Sequence, residues 1–600
     1  MDTKRVFLAA FLIMAVWFFW QSFLMPQPPG PALLEAKKPP PKPKDIFGPS
    51  PDFKEVKTTI ENNVFKAVLT NKNGGSFIEY ELMEHTGSYN SSNKKSWGKI
   101  GYSSDENTSL IYKDGDGFDK KYLNCNPCLE ELNERIERVE VDSTGVFDVE
   151  GESFRSVIYT LFSDQGLVGT HTITYSTENS FSVNHQYKIE GSPGLPNAYT
   201  LLWRNGIRPA ERYYWLDDQY SYAMYFNKSG DSNYLTGNKN TDSMVSAGAL
   251  DWVGVRNLFF VTAIVPAEGA NTTGSKFVPI QPTKDENYSR AYEYLEFGEA
   301  WLADGPDYYG RPDYPAAFDV RVGFVTNSSL INFDTFIAPL DYSLIKASDI
   351  KNLDSIMTLG GSILRPISKF IINSIQFLQN QLPFLGVGFI LILFAFLVRL
   401  VSGPLTKMSL RSTQKMQEIQ PIIKKIQEQH KSDPKTMQMK IMEAYKSHNV
   451  NPLSGCLVMF LQWPIMIPPF IVFRSVVDFR GESFLWIKDL SEPDYLISLP
   501  FHIPLLGTGE GWTGIGILPV LMGITLFLTM KKTMASMEGQ NKIMMYGMNG
   551  MFVILFNGFP AALNLYYVIY NLLNYLQQRK KDDGSSFFSK AKSYLQNQKK

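Results

Sequence analysis

The sequence predicts a multidomain membrane protein, a six-helix α transmembrane part joined to one large antiparallel β-sandwich. Three observations predict it. The chain has 600 residues, too many for one compact domain. Apolar runs of spanning length occur once near the N-terminus and five times after residue 383. Between them, residues 55–345 hold 40 acidic against 24 basic side chains, net −16, although the whole chain is only −1, so the remainder carries the opposite excess.

The elements follow in order. After MDTKR, Val6 to Met25 carry no charge, and Trp17 and Trp20 sit toward the far end, where amphipathic rings favour the interface. The run is long for a signal peptide and is followed by PQPPGPALL, with no small-residue cleavage site, so residues 1–25 are expected to be an uncleaved transmembrane anchor. Residues 26–54 hold ten prolines and five lysines, a linker that cannot bury a core. From 55 to 345, short runs such as FKAVLT, SVIYTLF, THTITYS and LFFVTAIVP alternate with turns such as NKNGGS and NKSGDS, the pattern of an antiparallel β-sandwich. Residues 355–383 place Ile363, Ile367, Phe370, Ile371 and Ile375 near one face, as expected of an amphipathic helix lying on a membrane surface. A five-helix core spans 384–576, with apolar segments near 384–402, 453–477, 514–530, 543–559 and 561–576, and a basic tail covers 577–600.

Charge orients these spans. Residues 404–450 carry nine Lys or Arg against four acids, which makes this loop cytoplasmic, and its two amphipathic stretches predict a helical hairpin. Residues 478–513 carry two cations against six acids and belong outside. The basic segments 531–542 and 577–600 return to the cytoplasm, so both termini are cytoplasmic and the β domain is external.

Depth then lets polar residues be compared. Arg399 lies four residues before Gly403, about 6 Å from the cytoplasmic end of its helix. Gln462, Thr525, Thr529, Asn549, Asn571 and Asn574 fall in or near the same half of their spans. Taken singly, an arginine snorkels and an amide bonds a neighbouring helix. Taken together they predict a polar recess open to the cytoplasm that stops partway through the bilayer, since the far half offers mainly Arg474 with Asp478. Such a recess shortens the apolar distance that a polar protein segment must cross, without hydrolysing anything.

No enzyme signature competes: Walker, HExxH and GxSxG motifs are absent, the six histidines show no metal spacing, and no cofactor is called for. His171 and His185 belong either to a sugar-processing site or to the strands' own structure. Cys125 and Cys128, in CNPC, either pair in an extracytoplasmic setting or remain two thiols.

The stretches FLVRLVSGPLTKMSLRSTQKMQEIQPIIKKIQ, YKSHNVNPLSGCLVMFLQWPIMIP, FLWIKDLSEPDYLISLP, ILPVLMGITLFLTMKK and LNLYYVIYNLLNYLQQ resemble, in order, the YidC/Oxa membrane protein insertases. The anchored outer domain resembles the Gram-negative form, in which a periplasmic β-supersandwich similar to galactose mutarotases is present. The resemblance implies insertion of client transmembrane segments into the inner membrane, alone or beside the Sec translocon, with nascent membrane proteins delivered by the ribosome and the signal recognition receptor. Anionic lipids are a further partner for the basic hairpin. It also implies a client groove built from Arg399, Gln462, Trp463, Met466, Tyr566 and Tyr567, to which the depth argument adds Thr525, Asn549 and Asn571. Ala395 and Trp463 depart from residues common in relatives. A small-solute transporter would instead need polar groups through the full depth, and a membrane-anchored sugar-binding protein leaves five spans unexplained.

Overall fold

The computed structural model describes residues 54–83, 110, 125–133, 135–164, 166–190, 197–207, 220–236, 243–280, 317–325, 329–431, 433–448, 466–498, 514–535 and 540–582. The expected anchor 1–25, nearly all of the linker 26–54, and Gln462 and Trp463 lie outside these residues. The chain divides into two compact units, 1–358 and 359–600.

The first unit is antiparallel β-structure. Strands β1 (Lys57–Glu61), β2 (Phe65–Thr70) and β3 (Ser76–Leu82) form one sheet. A five-stranded sheet joins β4 (Cys128–Leu129), β10 (Ala198–Trp203), β13 (Met244–Ala247), β16 (Thr272–Ile280) and β17 (Ala317–Val325) in the order β13-β16-β17-β10-β4. The largest sheet contains β5 (Arg138–Ser143), β6 (Phe147–Val149), β7 (Glu152–Ser163), β8 (Gly166–Ser176), β9 (Ser182–Ile189), β11 (Tyr222–Asn227), β12 (Ser232–Thr236), β14 (Leu250–Arg256), β15 (Phe260–Pro266) and β18 (Leu330–Pro339).

The alternation read from the sequence is the cause of this layering. In β9, Val183, His185, Tyr187 and Ile189 are buried while the residues between them are not. Aromatic pairs stitch the sheets face to face: Phe77 of β3 against His185 of β9, Tyr225 of β11 stacked on Phe277 of β16, and Phe324 of β17 tilted on Phe333 of β18. Gly75, at φ +100°, permits the turn after β2, and the Tyr159 ring occupies the space that a Cβ would need.

Two open alternatives of the sequence resolve here. Cys125 and Cys128 are disulfide-bonded, Cα atoms 5.1 Å apart, in a buried cluster with Leu202. His171 and His185 are fully buried and bonded to each other, Nε2 to Nδ1 at 3.1 Å. His171 Nδ1 lies 2.8 Å from the Gly74 carbonyl and His185 Nε2 lies 3.0 Å from Thr335 Oγ1. The pair is part of the core.

The second unit is helical. Its elements are α1 (Arg365–Gln381), α2 (Val387–Glu418), α3 (Gln420–Gln429), α4 (Pro434–Ser447), α5 (466–475), α6 (Ile517–Ala535), α7 (Gln540–Phe556) and α8 (Ala561–Asp582). A two-stranded sheet, β19 (Tyr495–Ser498) with β20 (Gly514–Gly516), precedes α6.

Several expectations shift. The surface helix starts at Arg365, not 355, because Gly360 takes a left-handed φ of +86° and breaks the run before it. Its apolar residues divide between two faces: Ile371, Ile372 and Ile375 are buried, whereas Ile363 before the helix and Phe370 and Phe377 within it form an exposed row at seven-residue spacing. The second helix runs without a break from Val387 to Glu418, so the hairpin of α3 and α4 continues from it. Ile419 and Ile423, with Ile441 and Tyr445, form that hairpin's own small core. The last helix extends past 576 to Asp582.

Among the described residues, no helix is long and apolar enough to cross a membrane by length and mean hydropathy together. Each of α1 and α7 has 17 residues, and α8 carries Asn564, Asn571 and Asn574 within its apolar stretch.

Candidate functional site

The site is built where α2, α6 and α8 meet. On α8, Tyr570, Asn574 and Gln577 are spaced i, i+4, i+7 and therefore share one face. That face meets Arg399, Ser402 and Gly403 of α2. The Arg399 guanidinium donates from Nη2 to Asn574 Oδ1 at 2.8 Å and also to Gln577 Oε1, and it lies 5.5 Å from the centre of the Tyr570 ring. Ser402 Oγ donates to the Arg399 carbonyl at 3.4 Å and lies 3.5 Å from the Tyr570 hydroxyl. Gly403 matters because a Cβ there would come within 3.3 Å of the Gln577 amide. Arg399 is only 6% exposed.

A second polar contact joins α6 to α8. Thr529 Oγ1 donates to the Asn571 carbonyl at 3.3 Å and to Thr525 O at 2.8 Å. Thr525 Oγ1 is turned onto its own helix, 3.0 Å from both Leu521 O and Met522 O. Asn549 of α7 donates to Gly523 O of α6 at 3.1 Å, separate from the arginine. The two helices approach closely there, since a Cβ on Gly523 would overlap Val553.

Tyr566 and Tyr567 point into the unit. Tyr566 is fully buried in an aromatic cluster with Phe394, Phe473, Tyr567 and Tyr570. Tyr567 donates its hydroxyl to Met466 O of α5 at 2.6 Å. The structure thus brings together Arg399 with Asn574, Thr529 with Asn571, and Tyr567 with Met466, and it holds Asn549 apart.

Sequence reasoning missed Tyr570, Ser402 and above all Gln577, which was counted with the basic tail. The signal was present, because extending the α8 stripe by one helical step from Asn574 reaches 577.

The opposite end is closed by a loop of caps. Asp489 Oδ2 accepts from Gly481 N at 2.7 Å, and its Oδ1 accepts from Ser491 N at 2.8 Å. Glu492 O and Leu490 O accept from Ala561 N and Ala562 N, the first residues of α8, at 2.7 and 2.8 Å. Asp494 Oδ2 accepts from Leu518 N at 2.8 Å at the start of α6. Burial pushes the Asp494 carboxyl up to about 6, against the lowering effect of these donors. Asn557 clasps the same corner, donating to Gly514 O at 2.8 Å and accepting from Gly516 N at 3.0 Å. Arg474 lies between the rings of Phe470 and Phe559, 5.0 and 4.9 Å from their centres.

Comparisons with known proteins concern most of the chain. Residues 378–582 match the family described as 60Kd inner membrane protein. A membrane protein insertase YidC of Chlorobaculum tepidum is 31% identical over 538 residues, covering 87% of this chain and 81% of the relative. Another of the same name, from Prosthecochloris aestuarii, is 29% identical over 613 residues, covering 96% and 94%. A crystal structure described as an active YidC insertase with its first transmembrane domain resolved aligns with 96% of this chain and 99% of its own, at 15% identity and a TM-score of 0.33.

Proposed function

This chain belongs to the YidC family of membrane protein insertases, and from that premise we propose that a polar seam among α2, α6 and α8 receives its clients. The activity is membrane protein insertion. The finer reading is that client transmembrane segments enter from the cytoplasm along a groove near Arg399, Thr525, Asn571, Tyr566, Tyr567 and Met466, with Gln462, Trp463 and Asn549 as further members.

One observation carries this reading. The helical unit has the polarity of a soluble protein reversed. Arg399, Thr525, Asn571 and Asn574 are buried, while Phe389, Phe396, Leu397, Leu400, Val401, Val520, Ile524, Leu572 and Leu576 on the same helices are exposed. In water that arrangement would leave apolar surface uncovered and bury polar groups at a cost of several kcal/mol. In a bilayer it is the favourable one, with lipid against the outer side chains and the polar groups bonded within. The same pattern supports reading α2 and α5–α8 as five membrane helices after an N-terminal anchor, six in all.

Charge supports the orientation. On the hairpin of α3 and α4, Lys424, Lys425, Lys431, Lys435, Lys440 and Lys446 are all exposed, as suits a cytoplasmic surface facing anionic lipid or ribosomal RNA. The β unit would then be periplasmic, where a disulfide such as Cys125–Cys128 persists. Partnership with the Sec translocon and the signal recognition receptor extends this reading.

The test is reconstitution of the full chain into liposomes with a small single-span client, scored by protease protection of its translocated end. Insertion above that of empty liposomes is expected. Insertion equal to empty liposomes overturns the reading. Arg399→Ala tests the groove: the expected result is a loss of several-fold or more in rate, and an unchanged rate would remove the arginine from it.

A further inference from the structure

We propose that the two-residue turn Leu485–Trp486 is a lipid anchor of the helical unit, seating its apolar side chains at the headgroup–acyl boundary of the outer leaflet. The inference rests on reading α2 and α5–α8 as membrane helices, and it adds a lipid contact outside the groove.

The turn is built against local preference. Phe484 and Ile487 pair as an isolated antiparallel bridge, each N–H donating to the other's carbonyl, at 3.0 and 2.9 Å. The corners of so tight a turn ordinarily go to Gly, Asn or Asp. Here they hold Leu485, at φ +52°, and Trp486. A leucine in the left-handed region is strained, and neither side chain is rewarded with burial. Leu485 is 73% exposed and Trp486 43%, while Phe484 and Ile487 beside them are buried. The fold alone gives no reason for two large apolar groups at that corner.

The turn is also firmly held. The Phe484 ring packs edge-on against Phe389 of α2, centres 5.2 Å apart, in a notch left by Gly388, where a Cβ would overlap the ring. The Trp486 indole N–H turns toward the Asp494 carboxylate, which accepts from Leu518 N at the start of α6. Leu485 and Trp486 are therefore presented at a fixed height beside the ends of two helices.

Depth and charge identify the occupant as lipid. Phe389 lies 14 residues before Gly403 at the cytoplasmic end of the apolar run, about 21 Å away at 1.5 Å per residue. The hydrocarbon core is about 30 Å thick, so the turn beside Phe389 falls at the outer boundary of that core instead of in open water. Phe389 is itself one of the exposed side chains that lipid would cover, and the turn continues that surface. The loop is acidic in sequence, yet Asp478, Asp489, Glu492 and Asp494 are all buried, whereas Lys488, two residues after the tryptophan, is exposed. What faces outward is thus an indole ring and an aliphatic chain, with a lysine able to reach lipid phosphate, the composition favoured at a membrane interface.

The experiment uses the full chain in liposomes of phosphatidylcholine and phosphatidylglycerol, in a Cys456→Ser background that leaves the Cys125–Cys128 disulfide intact. Leu485→Cys carries an NBD label, quenched either by iodide on both faces of the membrane or by lipids brominated near the top of the acyl chains. Quenching by the brominated lipids several-fold greater than by iodide is expected. Iodide quenching with no response to brominated lipid places the turn in water and overturns the proposal. A label shielded from both quenchers is covered by protein, and that outcome overturns it too. Leu397→Cys on α2, exposed along the span, is the control. If lipids brominated deep in the chains fail to quench its label, the membrane reading itself is overturned, whereas a quenched control beside an iodide-exposed turn rejects the anchor alone.

Discussion

Acid should destabilise the β unit through its buried histidine pair. The hydrogen bonds fix every proton. Gly74 O can only accept, so His171 donates from Nδ1, and its Nε2 must accept from Nδ1–H of His185. His185 Nε2 is then left to accept from the Thr335 hydroxyl at 3.0 Å, which takes that proton from the longer 3.4 Å contact with Val183 O. Both rings are neutral and fully satisfied, and a proton added to either sets donor against donor. Burial accordingly holds His171 down to about 3 and His185 well below its ordinary value. The folded state resists protons that the unfolded chain takes up near pH 6.5, so stability is complete above that value and falls as pH drops toward about 3. His171 contributes a slope of about 1.4 kcal/mol per pH unit in that window, a loss of about 2 kcal/mol at pH 5 against a domain's usual 5–15 kcal/mol, and His185 adds a loss of the same sign. Urea unfolding of the full chain, followed by fluorescence of the buried Trp203 and Trp252, measures it at pH 7.5 and pH 5. The control is His171→Phe with His185→Phe, which keeps the aromatic stacking on Tyr187 and Phe333. The difference in pH dependence between the two proteins is the histidine contribution, and equal dependences would refute the assigned protons.

Three further changes have definite outcomes. Gly523→Ala should destabilise the helical unit by about 1–3 kcal/mol through overpacking against Val553 and loosen the Asn549 bond, read as a lower unfolding temperature in detergent. Asp494 has the opposite sign from the histidines: its folded value is raised to about 6, so its ionisation costs stability that grows as pH rises from about 4 to 6 and is constant above. Asp494→Asn, which keeps an acceptor for Leu518 N, should flatten that part of the profile, and an unaltered slope would exclude Asp494 as its source. Cys125→Ser with Cys128→Ser should cost only about 2 kcal/mol by loop closure, because the closed loop is four residues long, and it should leave insertion intact.

What the sequence revealed follows from how local each signal is. Alternation in β8 and β9 marks strands within a few residues, yet the order β13-β16-β17-β10-β4 depends on distant pairings, that of β10 with β17 joining residues more than a hundred apart, which no short pattern encodes. The histidine pair was invisible for the same reason. His171 stands opposite Tyr187 and His185 opposite Ile173, so the two rings are diagonal neighbours that only the register brings together. Arg399 stood out because a cation in an apolar run is rare, whereas Gln577, beside the basic end of α8, looked like solvent-facing tail. The Phe370 and Phe377 row was legible as apolar, but the three isoleucines that bury were not separable from the exposed phenylalanines without a partner helix to bury them.

The bonds in the helical unit also differ in how readily a client can exchange them. Thr525, Thr529, Asn549 and Tyr567 all donate to backbone carbonyls. Those carbonyls already accept a backbone N–H of their own helix, so what a client would strand is the displaced hydroxyl or amide, in surroundings without water, at a cost of about 1–3 kcal/mol. The Arg399 contacts with Asn574 and Gln577 join side chain to side chain, and both partners can swing to new acceptors or donors on flexible stems. The bonds of Thr529, Asn549 and Tyr567 therefore hold the helices together, and in the groove proposed above the arginine cluster would be the place where a client's own polar group enters at least expense. A change such as Thr529→Val should accordingly lower the unfolding temperature in detergent while leaving the insertion rate unchanged, the reverse of Arg399→Ala. Measuring unfolding temperature and insertion rate on both variants separates the two kinds of bond, and a common response to both substitutions would refute the distinction.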